Sequence, residues 1–329
     1  MKLFSRILLS LVVTGVLLTL LFQWSNLSAD ELFESWKALP IGVYLQAVGV
    51  HFGIYVLRAA RFRVLLPPGQ RPSLPALLAV SASHNLAAYV LPAKTGEGTL
   101  VLYLRKVCGI AAGEGLATLV VSRLLDLAML SSLLAAATML LAQNGTLDGA
   151  WVWPLGILLA ISGATLFVLS ARSAWLVQVL TFLVRLVRLD ATKLGARLEE
   201  SAERIAGALR ESGGQGRLAI ASCLSLFLWL GIFFFYMILA RGFGLGADLG
   251  PVEATFASSW ASVANLVPIN GFAGAGTQEL GWAFGFTEVG VQEALAVSSG
   301  LGVHLVQLGN VVLFGIIGHV AMALIPSDE

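Results

Sequence analysis

Arg123 and Asp126 stand three residues apart in VVSRLLDLAML, within an apolar run long enough to cross a bilayer. A charge at membrane depth is costly unless it is paired or hydrated. Either the two groups form a salt bridge or backbone ties that pin a neighbouring segment, or Asp126 orients Arg123 toward an anionic ligand. Two broken apolar segments carry the other candidates. LPAKTGEG at 91–98 supplies Lys94, Gly96, Glu97 and Gly98, and PINGFAGAGTQE at 268–279 supplies Gly271, Gly274, Gly276 and Glu279. Glycines let backbone approach a ligand closely, and free N–H groups opening a helix favour negative charge, above all phosphate. Glu97 and Glu279 read as caps at the start of short helices, with proton coupling or contact to an amine headgroup as the functional alternative. Lys94 either snorkels to the membrane surface or meets the phosphate.

His304 and Gln307 repeat, in the last apolar run, the spacing of Arg123 and Asp126. A lone histidine such as His304, His51 or His84 reads first as a hydrogen-bonded structural residue and second as a proton relay. Asn85 and Asn265 read as partners for loop carbonyls. Catalytic chemistry finds no motif: the sequence has no GxSxG, HExxH or GxxxxGK[ST], and Cys108 and Cys223 sit among apolar residues. The expectation is a protein that is not an enzyme and holds no metal or cofactor.

Composition says where these residues must work. Hydrophobic residues make up 57% of the 329-residue chain and charged ones 12%, against roughly 45–50% and about 25% in soluble domains. That excludes a cytosolic or secreted enzyme and a nucleic-acid binder, and continuous apolar runs argue against a β-barrel. The expected class is an all-α polytopic membrane protein.

A crossing helix needs about 20 apolar residues. Six runs qualify: Ile7 to Phe22, Ile41 to Ala60, Gly115 to Leu141, Trp151 to Leu169, Leu218 to Ala240 and Ala294 to Leu324. Leu74 to Val90 and Val252 to Val267 are shorter, end at Pro and Gly, and lead into short stretches, Thr99 to Cys108 and Leu280 to Phe286. Basic residues collect on the cytoplasmic side. Lys2 and Arg6 put the N-terminus there. Reading 74–108 and 252–286 as re-entrant hairpins keeps Arg58, Arg61, Arg63, Arg71, Arg105, Lys106 and the basic stretch 172–217 on that side too. The prediction is about six spans plus two opposed re-entrant hairpins, with both termini cytoplasmic, in a bacterial inner membrane.

The two hairpins match in order: Asn85 and Asn265, Pro92 and Pro268, glycines, Glu97 and Glu279, then a span with polar residues three apart. One enters from each side. Residues 41–142 and 217–325 therefore read as an inverted repeat within a single transmembrane domain, 1–329, a plan that transporters use with the site near the midplane. Between them, 171–216 has soluble composition and helical charge spacing, and reads as an amphipathic cytoplasmic connector lying on anionic headgroups.

RAARFRVLL at 58–66, NLAAYVLPAKTGEG at 85–98, ATLVVSRLLDLAML at 117–130 and VPINGFAGAGTQE at 267–279 resemble the transmembrane-region family of lysylphosphatidylglycerol synthase, flippase-like integral membrane proteins. The resemblance covers nearly the whole chain and implies movement of lipids or lipid-linked molecules between leaflets. Some members carry a soluble aminoacyl-transferase domain afterwards. This chain stops at Glu329, so the resemblance implies translocation without lipid aminoacylation. PAKTGEG stands where a more basic Pro-Gly-Arg-like stretch is expected, and His304 stands where an arginine is. The expected partners are a phospholipid or lipid-linked substrate and the membrane, with no nucleic acid and a homo-oligomer left open. The expected function is a lipid flippase or transporter with a polar midplane cavity. A secondary transporter or channel for a small soluble anion, and a membrane scaffold for a lipid-modifying enzyme, are the alternatives.

Overall fold

The computed structural model describes residues 39–66, 72–171, 215–246, 249–266 and 272–325, with isolated positions before residue 39 and at Gly69. The regular elements among the described residues are helices: α1 (Ile41–Leu65), α2 (Leu74–Val90), α3 (Thr99–Cys108), α4 (Ala112–Gln143), α5 (Val152–Ala171), α6 (Gln215–Gly242), α7 (Pro251–Ala264), α8 (Thr277–Glu288) and α9 (Glu293–Leu324). A 3-10 turn, Pro92–Gly98, joins α2 to α3, and a shorter one, Phe272–Gly274, precedes α8. Four of these helices, α1, α4, α6 and α9, are long and apolar enough to cross a membrane, while α2 and α5 are shorter apolar helices. The expected first span, Ile7 to Phe22, and the connector at 171–216 lie almost wholly outside the described residues.

Local chemistry sets the breaks. Ser73 opens α2 by accepting the Ala76 N–H at 3.4 Å, with Pro75 in the first turn. The helix stops where Leu91 turns extended ahead of Pro92, the conformation a following proline favours. Gly109, at φ 66°, ends α3, and Pro251 starts α7 at a position where a missing N–H costs nothing.

Helices in lipid gain little from burying apolar surface, so close contact through small residues decides their packing. On α8, a Cβ at Gly281 or Gly285 would collide with the Trp260 or Ala257 carbonyl of α7. The GxxxG spacing at 281–285 thus seals α8 onto α7. The main core joins Ile54 of α1, Leu134 of α4, Phe233 of α6, Phe256 of α7, Trp282 of α8 and Val303 of α9.

The packing has a regularity. Exchanging α1, α2, α3 and α4 for α6, α7, α8 and α9 leaves the set of substantial helix contacts unchanged: α1–α2 maps to α6–α7, α2–α9 to α7–α4, and α1–α9 to α6–α4. The α1–α6 contact maps onto itself. Among the described helices, α5, paired with α4, has no counterpart.

Candidate functional site

The α2–α3 hairpin builds one cluster. Its turn lies so tightly on α2 that a Cβ at Gly96 would collide with the Ala87 carbonyl. Thr99 secures the turn by donating to the Gly96 carbonyl at 2.7 Å, with His84 Nδ1 3.0 Å from the same hydroxyl. Glu97 is thereby held toward α4, where it accepts from Arg123 Nη2 at 2.5 Å and Nε at 3.0 Å. This pair is open: the Arg123 side chain is 46% exposed and Glu97 30%. Glu97 sits in the 3-10 turn, two residues before α3 begins, and its carboxylate faces Arg123. Gly98 has φ −65° and open space where a Cβ would stand, so no steric demand fixes a glycine there. The Lys94 side chain lies outside the described residues.

Asp126 has a different main partner from its neighbour on the sequence. Arg61 of α1 grips it with Nη1 at 2.5 Å and Nη2 at 3.2 Å, whereas Arg123 reaches it at 3.4 Å. Trp229 Nε1 of α6 adds a third donor at 3.3 Å. Arg61 is 1% exposed and also donates to Ser225 Oγ at 3.0 Å, so one guanidinium ties α1, α4 and α6 together. One turn earlier, Arg58 donates to Asn85 of α2 at 2.7 Å, and the Asn85 amide donates to the Tyr55 hydroxyl at 2.8 Å. Asn85 therefore serves side chains, where loop carbonyls were expected. Among the described residues no carboxylate lies within ion-pair distance of Arg58. Among the described residues of this cluster, three guanidinium groups against two carboxylates leave one positive charge in excess.

The α7–α8 hairpin follows a related plan with other chemistry. Gly274 and Gly276 take φ 88° and 86°, in the left-handed region that favours glycine. Thr277 donates to the Gly274 carbonyl at 2.9 Å, as Thr99 does to Gly96. Glu279 accepts the Gly276 N–H at 2.7 Å, the backbone-capping role expected of it, and meets His304 Nδ1 at 2.6 Å. His304 Nε2 lies 3.2 Å from the Ala273 carbonyl. Glu279 and His304 are 2% and 6% exposed, so this cluster is closed. One turn along α9, Gln307 accepts from the Gln278 amide at 2.7 Å and the Tyr236 hydroxyl at 3.2 Å, and donates to the Tyr89 hydroxyl of α2. Asn265 donates to Gln278 at 3.0 Å. Gly271 lies outside the described residues.

Each long helix thus clasps a hairpin glutamate, Arg123 with Glu97 and His304 with Glu279. The threonines show that the glutamates come from unlike positions, one two residues before its helix and the other two residues after the helix begins. Reading the sequence missed Arg58 and Arg61, which it assigned to a cytoplasmic flank. Their signal was the three-residue spacing in RAAR at the end of an apolar helix, which puts both on one face. A separate groove of about 390 Å³ between α4 and α5, lined by Met129, Ser132, Ala136, Gly163 and Phe167 among others, contains none of these groups.

The family model for the lysylphosphatidylglycerol synthase TM region matches residues 7–315. The chain belongs to this family. It is a multi-pass membrane protein tied to lipid handling, and both hairpins and both ion clusters fall within the matched region. No curated protein matches the chain.

Proposed function

We propose that this member of the family is a lipid flippase or lipid transporter and not an enzyme. It takes the phosphate of a phospholipid or lipid-linked molecule beside Arg58, Arg61 and Arg123 and carries it between leaflets. Arg123 carries the reading: its side chain is 46% exposed, on a helix long and apolar enough to cross a membrane. Hydrocarbon would make such exposure costly, so the open side suits water or a headgroup. Among the described side chains, the single excess positive charge matches one phosphodiester. The planar N–H forks of arginine suit phosphate oxygens in pairs.

The buried groups set the geometry and the open ones make the exchange. Asp126, fixed by Arg61 and Trp229, meets Arg123 at Nη1. Glu97 occupies the outer edge of the Arg123 fork, and because that ion pair is partly exposed its replacement by a phosphate costs little. The exchange-invariant packing supports taking 41–142 and 217–325 as repeats. In this reading they are inverted, with re-entrant hairpins from opposite sides and both termini cytoplasmic in an inner membrane. Rocking of one repeat against the other then gives alternating exposure.

The test is transport of fluorescent phospholipids in proteoliposomes, comparing wild type with Arg123→Ala and Arg58→Gln. Losing a charge-assisted bond worth about 1.5–3 kcal/mol should slow headgroup-dependent movement by roughly ten- to a hundred-fold in Arg123→Ala. Wild-type rates in both folded variants would refute the phosphate site. Movement of a small soluble anion, with no lipid movement, would favour the solute-transporter reading instead.

A further inference from the structure

The surroundings of His304 settle where its protons are. Nε2 lies 3.2 Å from the Ala273 carbonyl, which can only accept, so Nε2 carries a hydrogen. Nδ1 lies 2.6 Å from Glu279 Oε1. Were Nδ1 bare and Glu279 ionised, two lone pairs would face each other at that distance with no hydrogen between them. One proton must occupy the contact, held either as an imidazolium beside a carboxylate or as a neutral imidazole beside a carboxylic acid. The second carboxyl oxygen is already used by the Gly276 N–H at 2.7 Å. The pair therefore holds one proton more than an ionised glutamate with a neutral histidine, and it carries no net charge.

Among the described residues, nothing nearby replaces that proton. The polar side chains hydrogen-bonded in this region, among the described residues, are Gln278 from α8, Gln307 from α9, Asn265 from α7, Tyr236 from α6 and Tyr89 from α2. All are neutral near pH 7. Glu253 lies in the first turn of α7, at the opposite end of that helix from Asn265. Among the described residues no lysine or arginine is within ion-pair distance of Glu279. Removing the proton in place would leave a lone negative charge at membrane depth, which a buried site holds only at high cost. The same proton is a latch. Through it α9 holds Glu279, whose other oxygen holds Gly276, while His304 also bonds Ala273, a non-glycine residue at φ 55°.

We propose that Glu279 and His304 form a proton-binding site, that the proton leaves only when the α7–α8 hairpin opens to water, and that lipid movement is thereby coupled to a proton gradient. Release breaks the hydrogen bond between Oε1 and Nδ1 and passes the proton to water, and uptake on the other side remakes it. The binding site stands on this geometry alone, and the coupling rests on the lipid-transport reading.

Infrared difference spectra of the full chain in lipid, recorded across a pH titration, test the site whether or not lipid moves. Wild type should show a carboxyl or imidazolium band titrating as a single proton. The band should vanish in Glu279→Gln, which keeps an oxygen for the Gly276 N–H, and should shift in frequency or midpoint in His304→Gln, which leaves the carboxyl without its imidazole and serves if the first variant fails to fold. No such band in wild type, or an unchanged band in both folded variants, would overturn the site. For the coupling, a one-unit pH gradient across proteoliposomes should displace the leaflet distribution of labelled lipid by up to about tenfold for one proton per lipid, and Glu279→Gln should abolish that displacement. Wild-type lipid movement indifferent to the gradient would overturn the coupling.

Discussion

Asp126→Ala should destabilise the protein several times more than Glu97→Ala, although each carboxylate meets an arginine at 2.5 Å. Burial makes the difference. Arg61 and Asp126 are 2% and 13% exposed, against 46% and 30% for Arg123 and Glu97. Without Asp126 the Arg61 guanidinium loses the partner of both terminal nitrogens and keeps Ser225 alone, while its buried Nε already has no partner. An uncompensated buried charge costs about 3–5 kcal/mol. The open pair contributes up to about 1 kcal/mol. Unfolding in detergent, followed by tryptophan fluorescence with Trp229 as a near reporter, measures both. Because the penalty belongs to the orphaned charge, Arg61→Met combined with Asp126→Leu should recover most of the loss. Equal costs for the two single variants, or a double variant as unstable as Asp126→Ala, would refute the assignment of Arg61 as the principal partner.

Tyr89→Phe removes the bond from α2 to Gln307 and should cost about 0.5–1.5 kcal/mol in the same unfolding assay. Gly285→Leu drives a side chain into the Ala257 carbonyl and should lower stability by at least about 1–3 kcal/mol, read as loss of monodisperse protein on size exclusion. Burial pushes the Cys108 thiol up to about 11, and the thiolate is the reactive form. In a Cys223→Ser background its labelling by an impermeant maleimide should rise about tenfold per pH unit between pH 8 and 9.5, where the labelling of an ordinary thiol bends toward its plateau. The label should enter from the cytoplasmic face, and labelling from the outer face would refute the proposed direction of the first hairpin.

Where structure depends on neighbours in sequence, it was readable. Leu74–Val90 and Thr99–Cys108 have the bounds expected of them, because Ser73, Pro75, Pro92 and Gly109 act within a turn of their own positions. The second hairpin was read less well: α8 begins at Thr277, three residues before the expected Leu280, because Gly276 and Glu279 start the helix through a backbone cap that an apolar count overlooks. Pairing across the fold was not readable. Arg123 and Asp126 invite a bridge at their spacing, yet each finds its shorter contact elsewhere, Asp126 with an arginine 65 residues away. A window of hydropathy cannot see that partner, and it files RAARFR as a charged helix end.

The chemistry of the two clasps differs in how each one lets go. An arginine keeps its proton at any pH a cell meets, and in the proposed cycle the Arg123–Glu97 pair yields to another anion competing for the guanidinium. Its exposure makes that competition cheap, and an anionic headgroup is the competitor a membrane supplies. The Glu279–His304 pair holds the same place on the other long helix, but its contact is a hydrogen bond between a carboxyl and an imidazole, and neither meets solvent. In the proposed cycle it yields to loss of the shared proton. Gln307 and Tyr89 run from the closed clasp to α2, the helix whose Asn85 holds Arg58. In the proposed cycle, a hairpin freed on one side therefore pulls on the helix that frames the headgroup site on the other. Two clasps on one plan, released by two different ligands, are what coupling a lipid to an ion requires.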